Sequence, residues 1–347
     1  MLQRKPKAAS RGGLLNWRDI DIIRNQWYVI LESNEVKQGR PVGVTRLGEK
    51  LVLWRDAAGK VVCLRDHCPH LGAQLSQGKV IGAHLACPFH GFEFDASGAC
   101  RRVPALGQQG PIPRALKIDG YPTYEAHHLI WIYWGEPAEG LQAPAFFDSI
   151  NDGFSYMSFK QPWGVHYSRM IENQLDVMHL PFVHYNTIGG GGRSVVDGPY
   201  VTLDGDLLNL WVYNRLDDGT PAKKMEDLPV PTLHPSLQFN FPNIWQNWIS
   251  DNLRIFIAFV PVDEDHGILY GRYYQKFVRL PLLRELANLA GVWGSLYIAN
   301  QDRQVVNRLL PKKTELKRMG QVLLPGDRAI LAYRRHRQEL KEAAGQA

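Results

Sequence analysis

The feature that most constrains this chain is a pair of short Cys/His segments in its first third. Cys68-Pro69-His70 is followed, after sixteen residues, by Cys87-Pro88-Phe89-His90. Each segment comes just after a strand-like run, and Gly72 and Gly91 follow the histidines closely enough to permit sharp turns. Both segments therefore read as tight loops at strand ends. Two thiolates and two neutral imidazoles facing each other suit a tetrahedral structural zinc, or a [2Fe–2S] centre in which two Cys hold one iron and two His the other. Zinc fingers pair Cys with Cys and His with His on separate elements. Here each loop brings one of each, as a two-iron cluster requires. A core Cys or a satisfied His explains any one of these residues, but not four in this order. His67, His84, His127 and His128 fit neither half-motif and read as bystanders.

The chain has four cysteines in all, and Cys63 and Cys100 read as structural. Arg4, Lys5, Lys7 and Arg11 have no apolar run behind them, which is unlike a secretory signal. Residues 1–24 are expected to form a solvated basic tail. The protein is expected to be cytoplasmic, with its thiols reduced and free to bind metal. A net charge of +6 admits nucleic acid, a membrane or an acidic protein as partner. The Lys and Arg residues are spread along the chain with no basic stripe among aromatics, which argues against nucleic acid. The most apolar stretch, Leu286 to Ala299, is too short to span a bilayer and contains Asn288, so no integral membrane segment is expected.

Residues 25–140 are rich in strand-length β-branched and aromatic runs. Trp27 to Ile30, Leu51 to Trp54, Val61 to Leu64 and Leu129 to Trp134 are the clearest, and turns such as Asp56-Ala57-Ala58-Gly59 separate them. A Pro- and Gly-rich passage from Gly135 to Pro144 marks a boundary. Residues 141–347 mix strands (Leu207 to Tyr213, Arg254 to Val260, Ile268 to Tyr274) with helices. The helices are expected at Tyr167 to His179, Leu282 to Leu289, Ala299 to Leu310 and Asp327 to Ala344. The fold class is α+β, an all-β domain followed by an α+β domain.

A second constellation lies between Glu172 and His184. Asp176 and His179 are spaced i, i+3, as on one helix face. His179 and His184 would diverge by about 140° on an unbroken helix, but Pro181 can interrupt it and return His184 to the same metal. Two His and one carboxylate form the facial triad of non-haem Fe(II) oxygenases, which leaves positions open for O₂. The carboxylate must come from downstream, where Asp251, Asp263, Glu264, Asp265 and Asp302 are candidates. Asp263 to Asp265 with Gly267 read as a turn. The aromatics Phe239, Phe241, Trp245 and Trp248 suit either a pocket or a core.

Cys-Pro-His-Leu-Gly with Cys-Pro-Phe-His-Gly resembles the Rieske signature. Glu172-Asn173-x-x-Asp176-x-x-His179-x-x-x-x-His184 resembles the iron motif of Rieske non-haem iron oxygenases, most of all the vanillate O-demethylase and dicamba monooxygenase group. The resemblance covers nearly the whole chain. It implies an N-terminal Rieske domain, with Cys68, His70, Cys87 and His90 on the cluster, and a helix-grip-like catalytic domain. Ala73 and Phe89 stand where respiratory Rieske proteins carry an extra disulfide. The resemblance also implies that His179, His184 and Asp302 hold a mononuclear Fe²⁺, with Gln301 replacing the family's usual Glu. Asp176 would bridge His179 to a neighbouring subunit's Rieske histidine, the position of His90, and Asn173 would point into the iron pocket. A ferredoxin or flavin reductase would bring electrons from NAD(P)H. The implied activity is O₂-dependent hydroxylation or demethylation of a small organic substrate by a homotrimer. The alternative is a Rieske electron carrier without oxygenase activity, which would not need the second ligand set.

Overall fold

A computed structural model describes residues 21–317 and 319–346. Most of the expected basic tail lies outside these residues. Its last four residues depart from expectation. Ile22 and Ile23 are fully buried, and the Asp21 carboxylate accepts from Lys341 at 2.6 Å and Arg337 at 3.0 Å. An Ile pair gains too much from leaving water to remain a tail.

The first half is all β, as expected. Its strands are β1 (Gln26–Glu32), β2 (Val42–Arg46), β3 (Glu49–Arg55), β4 (Val61–Arg65), β5 (Lys79–Ile81), β6 (His84–Ala86), β7 (Glu93–Phe94), β8 (Cys100–Arg102), β9 (Gly120–Tyr121), β10 (Thr123–Ala126) and β11 (Leu129–Trp134). They form three sheets, ordered β1-β11-β10, β2-β3-β4-β9 and β5-β6-β7-β8. His127 and His128 make the two-residue turn of the β10–β11 hairpin, both at positive φ, the conformation that matches strand twist. The small β5–β8 sheet packs on β3 and β4 over its own core, which includes Trp54, Leu64, Leu75, Leu85 and Phe94.

The second half is one antiparallel sheet with helices against it. Its strands are β12 (Ser155–Trp163), β13 (Val195–Asp204), β14 (Leu207–Arg215), β15 (Leu237–Asn240), β16 (Ile244–Ser250), β17 (Leu253–Pro261) and β18 (Gly267–Gln275). The order is β12-β18-β17-β16-β15-β14-β13. The helices are α1 (Tyr167–Leu175), α2 (Leu180–Val183), α3 (Pro281–Val306) and α4 (Arg328–Ala343). α3 lies on β12 and β18, α4 on β13 and β14, and α1 touches both helices. The two helices expected at Leu282 to Leu289 and Ala299 to Leu310 are one 26-residue helix.

The two halves share a core. Tyr28, Val29, Ile30 and Leu31 of β1 join one buried cluster with Phe159, Phe256, Phe259 and Tyr270 of the second sheet. Polar contacts close the same seam. Arg272 of β18 is 1 % exposed and donates to Glu32 at 2.9 Å and to the carbonyls of His127 and His128 at 2.6 and 2.8 Å. The Leu47 and Gly48 N–H groups donate across to the carbonyls of Pro261 and Val262 at 2.9 and 2.8 Å. The seam fixes the Cys/His loops relative to the second sheet.

Candidate metal centres

The two Cys/His loops are one backbone device built twice. In the first, the Cys68 N–H donates to the Ala73 carbonyl and the Gly72 N–H to the Cys68 carbonyl, both at 2.9 Å. In the second, the Cys87 N–H donates to the Phe92 carbonyl at 2.8 Å and the Gly91 N–H to the Cys87 carbonyl at 3.0 Å. Gly72 and Gly91 close the turns at φ +80° and +70°, where a Cβ would be strained. Both sulfurs are buried, and both histidines are exposed. The His70 and His90 rings sit 4.8 Å apart between centroids, and Phe92 stacks on His70. Burial pushes the Cys68 thiol up to about 11, and the adjacent Cys87 thiol pushes the same way. A buried thiol pair beside two converging imidazoles fits a cluster with its Cys-held iron inside and its His-held iron at the surface. His84 lies against Glu93 at 3.4 Å and His127 stacks on Phe146. All four cysteines are free, and Cys63 and Cys100 are buried in the packed interior.

The second constellation also assembles, by a different route from the one the sequence indicated. α1 ends at Leu175, and Asp176 is already extended at φ −77°, ψ 123°. Its carboxylate accepts the Met178 N–H at 2.7 Å, an Asx-type turn that competes with the helix. The break therefore precedes His179, and Pro181 opens α2 instead of interrupting α1. His179 and His184 flank this single turn of helix.

One ligand atom from each of His179, His184 and Asp302 lies within 4.8 Å of the others. The Nε2 atoms of His184 and His179 stand 3.0 and 3.4 Å from Asp302 Oδ1. Even so, Asp302 Oδ1 and His179 Nδ1 are buried polar atoms without a hydrogen-bond partner among the described residues. Burial alone would lower His179, but the Asp176 and Asp302 carboxylates outweigh it and push the imidazole up to about 9. Burial would raise Asp302, yet the two histidines hold it well below the usual carboxylate range. Crowded ligand atoms that do not satisfy one another, in a pocket that attracts positive charge, fit a divalent metal. The other downstream acids do not converge here. Asp251 lies in the turn between β16 and β17, and Asp263, Glu264 and Asp265 lie between β17 and β18.

The surroundings name two residues that sequence reasoning passed over. The His184 Nδ1 faces Gln301 Oε1 at 2.9 Å, and Gln301 is in turn held by its Nε2 donating to Asn186 at 3.0 Å. Gln174 Nε2 donates to Asp302 Oδ2 at 3.2 Å. Gln301 had been legible only as a departure from a Glu, and Gln174 gave no signal beyond its place in the motif. Asp176 Oδ2 stands 3.6 Å from His179 Nδ1. The Asn173 Nδ2 is buried with no partner among the described residues.

A cavity of about 470 Å³ opens beside Asp302 between α3 and the sheet. Phe159, Leu180, Trp245, Ile257, Leu269 and Tyr273 contribute much of its apolar lining. Of the four aromatics weighed from sequence, Trp245 lines it. Phe239 and Phe241 are core, and Trp248 lies under the Arg254 guanidinium at 3.5 Å.

Residues 26–124 match the Rieske [2Fe-2S] domain, and residues 163–343 match the vanillate O-demethylase oxygenase C-terminal domain. The chain belongs to the Rieske oxygenase family. The matched Rieske domain is a [2Fe–2S] domain, and the two donor sets described above fit that cluster and a mononuclear iron. It is 31% identical over 205 residues to the oxygenase component of dicamba O-demethylase from Stenotrophomonas maltophilia, covering 58% of this chain and 59% of that one. It is 27% identical over 345 residues to methylxanthine N1-demethylase NdmA from Pseudomonas putida, covering 93% and 90%. With chlorophyllide a oxygenase of Chlamydomonas reinhardtii it shares 34% identity, over 54% of this chain and 29% of the relative. This Rieske oxygenase thus spans about half the length, or less, of several curated relatives it matches. NdmA of Pseudomonas putida CBB5 superimposes with a TM-score of 0.76 at 22% identity, over 93% of this chain and 92% of that one. Dicamba monooxygenase bound to dicamba gives 0.73 at 23%, over 94% and 99%, and both show the same fold.

Proposed function

We propose that this chain is a terminal oxygenase component that hydroxylates or oxidatively demethylates a small, neutral, largely apolar organic substrate. The observation that carries it is the opening of an apolar cavity onto Asp302, whose Oδ1 stands 3.0 Å from His184 Nε2 and 3.4 Å from His179 Nε2. Among the described residues the cavity lining contains no Lys, Arg or His. No side-chain cation lines the cavity to pair with an aromatic carboxylate, so a neutral aromatic or aliphatic molecule fits better. Gln174, Asn247 and Ser295 supply the few polar groups that would orient it. Monooxygenation takes a C–H bond, O₂, two electrons and two protons to C–OH and water. At an O- or N-methyl group the hydroxymethyl product then releases formaldehyde.

Cys68, His70, Cys87 and His90 would hold the cluster, and His179, His184 and Asp302 the iron. Bound there, the iron supplies O₂ activation with positions left open. Gln301 fixes the His184 ring by accepting from Nδ1, which leaves Nε2 free as a ligand. Gln174 orients the Asp302 carboxylate. Asn173 holds a free amide donor near the pocket. Asp176 is part-exposed, as is required if it accepts both from His179 and from a Rieske histidine, the partner subunit's His90, in a homotrimer. A separate ferredoxin or flavin reductase would bring electrons from NAD(P)H to the cluster. Four free cysteines fit a reducing cytoplasm.

Iron and sulfide analysis tests this reading. The anaerobically purified protein should contain about three irons and two sulfides per chain, with a Rieske-type EPR signal after reduction. Asp302→Ala should lose one iron and keep that signal. With substrate and reductant, neutral aromatic ethers should drive O₂ uptake and their carboxylated analogues should not. An Asp302→Ala protein with full iron would remove the assigned centre.

A further inference from the structure

The first four turns of α3 are apolar on both sides. One side contributes Gly291, Gly294, Ser295 and Ile298 to the cavity. On the other, Leu282, Leu286, Leu289, Trp293 and Tyr297 are 45 to 76 % exposed. Their spacing of four, three, four and four residues keeps them on one helix face. At 1.5 Å per residue the stripe is about 22 Å long. Phe277, Leu280 and Leu283, also exposed, widen it at the N-terminal end. A helix apolar all round belongs in an interior, and a contiguous exposed patch of this kind marks a surface that something covers.

The chemistry of the stripe selects the cover. Leu is under-represented among the residues that anchor protein–protein interfaces. A Leu-rich face carrying Trp and Tyr, with cations beside it, is the composition that settles into the headgroup–acyl boundary of a bilayer. The cations stand at the N-terminal end. Arg279 is exposed, and Lys276 and Arg284 flank it in a chain of net charge +6. They complement an anionic lipid surface. Glu285 borders the stripe between Leu282 and Leu289 and is paired with Arg284 at 3.0 Å, so residues 276–297 carry three cations and one anion.

We propose that this face of α3 is a peripheral docking surface for an anionic lipid bilayer. No helix of the described residues is long and apolar enough to cross a membrane, so the contact is one of lying on the surface. The cavity lies behind the same helix, and Ile188 and Ile249 line it while remaining more than half exposed. A lipophilic substrate held in the bilayer would thus have a short path to the iron site. That consequence rests on the oxygenase reading above, whereas the docking itself does not.

Co-sedimentation of the iron-loaded protein with extruded vesicles tests the docking without any activity measurement. Phosphatidylcholine vesicles with and without phosphatidylglycerol are compared at low and high salt. The expected result is binding to the anionic vesicles that weakens with salt. Leu286→Glu and Trp293→Glu should each weaken it about tenfold or more. Arg279→Glu with Arg284→Glu should weaken binding only where phosphatidylglycerol is present. Leu286, Trp293 and Arg279 are exposed and Arg284 is half-exposed, so cluster absorbance and melting temperature should be unchanged. Wild-type protein remaining in the supernatant with every vesicle, or variants binding like wild type, would overturn the proposal. So would vesicle-independent oligomers that the Trp293→Glu substitution dissociates, because the cover would then be a second copy of the chain.

Discussion

Gln301 and Asp302 are adjacent on α3, so their side chains leave the helix about 100° apart. That angle lets one turn of helix do two jobs. Asp302 faces the histidine Nε2 atoms, and Gln301 reaches round to the far nitrogen of His184. A neutral amide there accepts a hydrogen bond without adding a second negative charge behind the ring. Gln301→Leu leaves the His184 Nδ1–H without an acceptor and frees the ring to turn. The expected result is an Fe²⁺ affinity lower by about 10- to 100-fold, measured by chelator competition, with the cluster spectrum intact. Gln301→Glu should keep the affinity, since it keeps the acceptor. Unchanged affinity in the Leu variant would mean that packing alone orients His184. The Cys and His donors stood out in the sequence because those residues are rare and their spacing is short. Asp302 was one of five candidate acids downstream and was singled out only by the family resemblance. The amides did not stand out, because Gln carries no such signal and its partner lies more than a hundred residues away.

At the scale of elements, α1 is placed by a buried ion pair. Glu172 is 4 % exposed and pairs with Arg169 on its own helix and with Arg334 of α4, whose Nε lies 2.5 Å away. This holds the end of α1 fixed, and with it the turn that carries Asp176 and His179. Glu172→Ala would leave two guanidinium groups buried without their anion. The expected cost is about 3–5 kcal/mol, read from urea unfolding, and a loss below about 1 kcal/mol would show that solvent reaches the arginines. The strands were legible because β-branched and aromatic runs stop at Gly and Asp turns. The helix ends were less so. The i, i+3 spacing of Asp176 and His179 mimics a helix, while the Asp176 side chain takes the Met178 N–H and ends it. α3 was expected as two helices, and the stretch left between them holds Gly291 and Gly294. Gly291 allows close approach, since a Cβ there would come within 2.5 Å of the Tyr273 ring.

At the scale of the whole molecule, Asp21, at the start of the described residues, meets α4 near the start of α1, and this junction should set the response to acid. Asp21 is clasped by Arg337 and Lys341, with Lys313 at 3.3 Å. Burial alone would raise its carboxyl, but Arg337 and Lys341 hold it well below the usual range. Beside them His166, fully buried, caps α1 by accepting the Ser168 N–H at Nδ1 at 3.4 Å, with the Ser168 hydroxyl 2.7 Å from the same nitrogen. Burial, reinforced by Arg337 and Lys313 and only partly offset by Asp21, pulls its pKa from 6.5 down to about 3. Between these two values the unfolded chain carries a proton on His166 that the folded chain does not. Stability therefore falls as pH drops below 6.5, by up to about 1.4 kcal/mol per unit. Asp21 acts lower. Its stabilisation is present above the ordinary carboxylate pKa and is lost only as pH falls through and below 3.8. From pH 6.5 to 4.5 the His166 contribution should dominate the difference between wild type and His166→Asn. Asn keeps an N-cap acceptor and does not titrate. The urea midpoint of wild type should fall steeply across that interval and that of the variant less so, with other titrating groups common to both. Parallel curves would mean that water reaches the imidazole in the folded state, so that this junction is looser than its burial implies.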